Sequence, residues 1–204
     1  MVDRQGTPIF ISGPEGRLEA VWHENGSGLS AIVCHPHPLH QGSMNNKVVM
    51  ATTWALLGSG YNVLRFNYRS VGQSEGCYGH IEGEIEDAHA AAHWVRQEKS
   101  LTVDLWAGFS FGSYIAARQV QSESKALIMI APPVERMSFD KLTMPSQSLV
   151  LMCQDDEVVS YSAVNDYLVC HYKNDHIILK QGGHFFHSRT PHLRRHIEAW
   201  LTNL

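Results

Sequence analysis

A serine sits between two glycines in Gly108-Phe109-Ser110-Phe111-Gly112, after the apolar run Val103–Ala107 and before a helical segment. On a strand–turn–helix path this pattern projects the Ser110 hydroxyl clear of the sheet, because glycine on both sides removes the Cβ clash of a very tight turn. A serine hydroxyl is a weak nucleophile near neutral pH; it needs a base, and the base needs an orienting acid. Both follow in chain order. Gln154-Asp155-Asp156-Glu157-Val158-Val159 comes after the apolar run Ser148–Cys153, and Gln181-Gly182-Gly183-His184-Phe185-Phe186-His187 lies near the end. Asp156 is the expected acid, since the apolar pair behind it seats the loop; Asp155 is the alternative. His184 is the expected base, because two preceding glycines let the backbone bend, and His187 is placed less well. Asp104 is set aside, since its distance from Ser110 along one strand is about 20 Å at ~3.3 Å per residue.

A hydrolysing serine also needs two N–H donors for the oxyanion. One is the backbone of Phe111, directly after the serine. The other should come from an early strand–helix loop, His35-Pro36-His37-Pro38-Leu39-His40-Gln41-Gly42. Proline carries no N–H, so Pro36 and Pro38 are eliminated and His37 is the best-placed donor, with Leu39 behind it. His35, His37 and His40 also spell a competing metal site, three imidazoles being a catalytic zinc pattern. The prolines restrict that turn and the serine chemistry needs no metal, so neither metal nor cofactor is expected. Arg69-Ser70-Val71-Gly72-Gln73-Ser74-Glu75-Gly76 lacks the lysine of a phosphate cradle, and Arg69 reads as a tie between loops.

These turns must be held by regular elements. Strand-length runs are expected at Ile9–Ser12, Leu18–Trp22, Ser30–Cys34, Tyr61–Asn67, Val103–Phe109, Ala126–Ala131, Ser148–Cys153 and His176–Lys180. Several are apolar throughout, as parallel strands covered on both faces must be. Helices are expected over Asn46–Leu57, Ile81–Arg96, Phe111–Gln121, Ser162–His171 and Pro191–Leu204. The alternation predicts a single α/β domain over residues 1–204, with chemistry at the carboxyl ends of a mostly parallel sheet flanked by helices.

Composition narrows the function classes. Of 204 residues, 44% are hydrophobic, and 16 basic against 20 acidic residues leave a net charge of -4, which excludes a disordered chain and argues against a nucleic-acid binder. No apolar run reaches the ~18 residues of a membrane span. The first residues lack the apolar core of a signal peptide, and four scattered cysteines read as free thiols, so a cytoplasmic setting is expected. The expected partner is a small-molecule ester or acyl substrate, with no nucleic acid and no membrane; oligomeric state is not written in the sequence. Thirteen histidines exceed what this chemistry uses.

The chain resembles the α/β-hydrolase superfamily, and within it the small lid-less hydrolases. The resemblance rests on His35–Pro38, Gly42-Ser43-Met44-Asn45-Asn46-Lys47, Asn67–Gly76, Gly108–Gly112, Asp156–Val159 and His184-Phe185-Phe186. It implies a triad of Ser110, Asp156 and His184, with an oxyanion hole from the loop after the third strand and from the residue after the nucleophile. Ser70 and Cys153 stand where that family usually has glycine. The short stretch Pro132–Gln147, where lids commonly insert, leaves no room for a substantial cap, so the site is expected to be open. A carboxylester hydrolase is the leading expectation. A thioesterase or peptidase would use the same residues, and a catalytically silent binding module would keep the same fold.

Overall fold

The runs that are apolar throughout become strands with both faces covered. The computed structural model describes residues 5–120, 124–171 and 175–204. In it β3 (Ser30–Cys34), β4 (Asn62–Phe66), β5 (Leu105–Phe109) and β6 (Ala126–Ile130) are buried at every position. With β1 (Thr7–Gly13), β2 (Gly16–His23), β7 (Gln147–Cys153) and β8 (Asp175–Leu179) they form one eight-stranded sheet in the order β1-β2-β4-β3-β5-β6-β7-β8. β1 and β2 run antiparallel to their neighbours; from β4 to β8 every pairing is parallel. This is the α/β-hydrolase fold.

Helices cover both faces. α1 (Lys47–Gly58) packs on α5 (Thr190–Leu201) on one side, while α2 (Glu82–Lys99), α3 (Phe111–Gln119) and α4 (Tyr161–His171) cover the other. α5 buries Leu193, Ile197 and Trp200, spaced to share one helical face, and the Trp200 indole N–H donates to Asp175 at 2.8 Å. Burying each such side chain stabilises the fold by roughly 1.5–3 kcal/mol. Among the described residues no helix is long and apolar enough to cross a membrane.

Several element ends differ from the sequence reading, each for a local reason. β5 starts at Leu105 rather than Val103, because the Asp104 carboxylate accepts the Ser30 N–H at 3.1 Å and pairs with Lys125 at 3.1 Å. α2 begins at Glu82, one residue late: Ile81 has φ 79°, and the buried Glu84 carboxylate accepts the N–H groups of both Gly79 and Ile81 at 2.8 Å. α5 stops at Leu201, where the Thr202 hydroxyl donates to the Glu198 carbonyl at 2.8 Å. The far end expected for α3, Gln121, lies outside the described residues.

β3 has β4 on one side and β5 on the other, so the connections leave it in opposite directions and open a crevice at its carboxyl end. Cys34 pairs with Gly108, Phe109 with Ile130, Ile130 with Leu151 and Cys153 with Leu179. The loops carrying His37, Ser110, Asp156 and His184 therefore leave the sheet from the same edge.

Candidate active site

Ser110 occupies the turn between β5 and α3 with φ 53° and ψ -121°, a backbone conformation that side chains adopt only under constraint. The constraint is visible. Its N–H donates to the Ile130 carbonyl at 2.8 Å, and its carbonyl accepts the Ser113 N–H at 2.9 Å. A Cβ on Gly108 would collide with the Gly112 carbonyl, and one on Gly112 with the Cys34 carbonyl. The glycines thus permit a contact between β5, α3 and β3 that no larger residue allows, and the contact holds the serine upright. Ser110 opens onto a cleft of ≈ 680 Å³ that is also lined by His37, Phe111 and His184.

The acidic run after β7 resolves into three separate duties. Asp156 turns inward with a side chain 0% exposed, and its two oxygens meet His184 Nδ1 at 2.9 and 3.1 Å. Its Oδ1 also accepts the Val158 and Val159 N–H groups at 2.9 and 2.8 Å, which fixes the carboxylate in place. Asp155 instead accepts the N–H groups of Gly183 at 2.9 Å and Gly182 at 3.2 Å; these bonds, Gly183's foremost, hold its carboxyl below the usual range. Glu157 accepts the His184 backbone N–H at 3.0 Å. Of the apolar pair behind Asp156, Val159 is buried while Val158 lies exposed on the cleft.

His184 is carried by the bend that its glycines permit. Gly182 has φ 150° and Gly183 φ 59°. The imidazole packs on Phe109 at 4.9 Å and Phe185 at 5.1 Å between ring centres. Phe186 is fully buried and anchors the loop, whereas Phe185 borders the cleft. His187 turns elsewhere, its Nδ1 lying 3.0 Å from Lys47 Nζ.

The histidine–proline loop is clamped from below by His35. Its Nδ1 donates to the Pro36 carbonyl at 2.7 Å and its Nε2 accepts the Tyr68 N–H at 3.1 Å, so the ring is the neutral Nδ1-protonated tautomer. Burial pushes its pKa down to about 3. Both nitrogens being engaged, His35 cannot join His37 and His40 in a metal site. His37 is likewise occupied: Nδ1 accepts the Leu39 N–H and Nε2 meets the Tyr78 hydroxyl, each at 3.2 Å. That first bond removes Leu39 as an oxyanion donor. The backbone N–H groups of His37 and Phe111 donate to no acceptor among the described residues. Sequence reasoning missed the clamping role of His35, the Glu157 bond to the His184 backbone, and Arg136, which also borders the cleft. No local pattern marked Arg136; only the folded loop after β6 brings it there.

A mostly parallel sheet with a strained serine on its central turn, and only a short connection with one 3-10 turn (Phe139–Lys141) between β6 and β7, defines a lid-less α/β serine hydrolase. A solved lid-less α/β serine hydrolase from Xanthomonas campestris aligns with a TM-score of 0.92 and 36% identity over 97% of this chain and 94% of that one. An α/β serine hydrolase homologue from Coxiella burnetii aligns with a TM-score of 0.90 and 36% identity over 98% and 97%. An uncharacterised protein of Rickettsia prowazekii is 36% identical over 96% of this chain and 89% of its own. The chain belongs to the family described as X-Pro dipeptidyl-peptidase (S15 family), whose model matches residues 25–152.

Proposed function

We propose that this hydrolase cleaves carboxylic esters of small or exposed substrates through an acyl-enzyme on Ser110. The observation that carries the reading is the shared cleft: Ser110 and His184 both line it, and the buried Asp156 commits His184 Nδ1. With Nδ1 donating to the carboxylate, Nε2 is the nitrogen left to take the Ser110 proton and later return it to the leaving alcohol. Asp156 holds the tautomer and stabilises the imidazolium. The unengaged N–H groups of His37 and Phe111 receive the oxyanion, a contribution worth about 3–4 kcal/mol per donor in comparable sites. Water, activated by the same His184, then releases the acid. The histidine–proline clamp supports this, since a preorganised hole needs a loop that does not relax between turnovers.

Peptide hydrolysis is the second reading, favoured by the family description and open to the same residues. One experiment separates the possibilities. The wild type and Ser110→Ala are incubated with a fluorophosphonate probe, then assayed on 4-nitrophenyl esters, acyl thioesters and Ala-Pro-4-nitroanilide. The ester reading expects labelling confined to the wild type and ester turnover far above that on the anilide. Equal ester turnover by Ser110→Ala, or an unlabelled wild type, would overturn it; dominant anilide turnover would give the site to peptides.

A further inference from the structure

The cleft beside Ser110 has a one-sided charge distribution. Among the described residues, histidines and one arginine border it, together with neutral polar and apolar groups, but no aspartate or glutamate does. The acidic side chains near it are spoken for. The Asp156 side chain is fully buried against His184, Glu157 accepts the His184 N–H at 3.0 Å, and Glu135, next to the arginine in sequence, accepts the Ser160 N–H at 3.0 Å. Arg136 itself is exposed. Its Nη2 donates to the Val158 carbonyl at 2.9 Å, and among the described residues it makes no ion pair. The N–H of that same peptide unit, Val159's, is in turn held by Asp156 at 2.8 Å. The guanidinium is therefore moored, through one peptide unit, to the loop that orients His184. One of its N–H groups is used, and its remaining donors keep the planar fork that matches a carboxylate.

We infer that Arg136 is a specificity-determining residue that anchors a carboxylate on the substrate, so the preferred esters carry an acyl chain ending in an anion. The inference rests on the ester-hydrolase reading and names its substrate class. It also has a counterpart in what the cleft disfavours. A peptidase that removes dipeptides from a free N-terminus must bind an ammonium group, and a carboxylate in the cleft wall is the natural partner for one. This cleft offers a cation at that border instead. Met137 and Phe185 give the methylene chain of an anionic acyl group an apolar surface.

The test compares matched esters of equal chain length: mono-4-nitrophenyl adipate (anionic), 4-nitrophenyl hexanoate (neutral) and 4-nitrophenyl 6-aminohexanoate (cationic), each corrected by the Ser110→Ala blank. An exposed charge-assisted anchor should raise kcat/KM for adipate over hexanoate by about tenfold at low salt, shrinking in 0.5 M NaCl. Arg136→Gln should bring that ratio close to one, and Arg136→Glu should turn the preference toward the aminohexanoate. The ratio reads the anion contribution whatever either substitution does to the common rate. A wild-type ratio of one, or a ratio that Arg136→Gln leaves intact, would overturn the anchor while sparing the hydrolase reading. Absence of Ser110-dependent turnover on all three esters would remove both.

Discussion

Arg69 and His184 each have a side chain 3% exposed, and each meets a carboxylate that is 0% exposed, Asp87 and Asp156 respectively, at 2.9 Å. The carboxylates are supported alike: Asp87 also accepts the Arg69 N–H at 2.8 Å, and Asp156 accepts two backbone N–H groups. What differs is the base. A guanidinium keeps its proton at any ordinary pH, and Arg69 is further enclosed by Glu15 at 3.0 Å and Glu86 at 3.2 Å. It joins the loop after β4 to α2 and the β1–β2 hairpin, and it does not border the cleft. An imidazole, unlike a guanidinium, can pass a proton from one partner to another, and His184 lines the same cleft as Ser110. Burial beside an acid is thus common to a structural tie and to the proton shuttle we propose; proton mobility and access to the cleft separate them.

The largest expected effect breaks the second pair. Asp156→Asn keeps the shape but releases His184 to the wrong tautomer, and kcat/KM on a neutral 4-nitrophenyl ester should fall by roughly 10⁴. Asp155→Asn loses only the anchoring of the glycine bend and should fall far less. A drop for Asp155→Asn as deep as for Asp156→Asn, in side-by-side steady-state kinetics, would return the acid's role to Asp155.

Breaking the first pair should act on stability. Asp87→Leu leaves the buried Arg69 charge with only its more exposed partners, and about 3 kcal/mol should disappear from urea unfolding. Replacing both members, as Asp87→Leu with Arg69→Met, should recover much of it, because an apolar pair carries no desolvation cost. If the double variant is no more stable than Asp87→Leu, the tie depends on geometry that hydrophobic packing does not replace.

Much of this was legible in the chain because it follows from burial alone. β3, β6 and β7 read as strands since both faces are covered, and a run such as Leu127-Ile128-Met129-Ile130 admits no polar face. Ser110 was legible because the near-contact of residues 108 and 112 demands glycine at both. The acid run was legible only as a set: spacing along the chain does not say which way a side chain turns, so the separate duties of Asp155, Asp156 and Glu157 had to await the loop path. Arg136 was not legible at all, because its place beside the cleft depends on how β6 and β7 are joined. Ser70 departs from the glycine the resemblance leads one to expect, and its φ of 67° is the reason glycine suits the position.

His35 extends the series to a buried base with no carboxylate partner, and it gives the next prediction in size. Its pKa falls from 6.5 to about 3, mainly through burial. Above pH 6.5 the group is neutral whether folded or unfolded. Below it the unfolded chain binds a proton that the folded chain refuses, so stability drops as pH falls, by about 1.4 kcal/mol per unit for this one site. Urea unfolding between pH 4.5 and 7 should lose that one-proton slope in His35→Gln, whose side chain can still bond to Tyr68 N–H. The His35 ring C–H resonance in the folded wild type should not titrate over the same range; a midpoint near 6 would contradict the clamp.

The smallest effect lies beside the structural pair. Ser70 adopts its left-handed conformation directly after Arg69, with its N–H donating to Glu75 O at 3.2 Å. A non-glycine residue there costs about 1–2 kcal/mol, while glycine costs about 0.5–1 kcal/mol more in unfolded-chain entropy. The difference favours Ser70→Gly by roughly 0.5 kcal/mol in urea unfolding. In the Asp87→Leu background the gain should shrink, because a loop no longer drawn in by Arg69 can relax its backbone by itself. An undiminished gain there would mean that the left-handed turn is imposed by the bonds around Glu75 and Ser74, and that the Arg69 tie holds the loop without bending it.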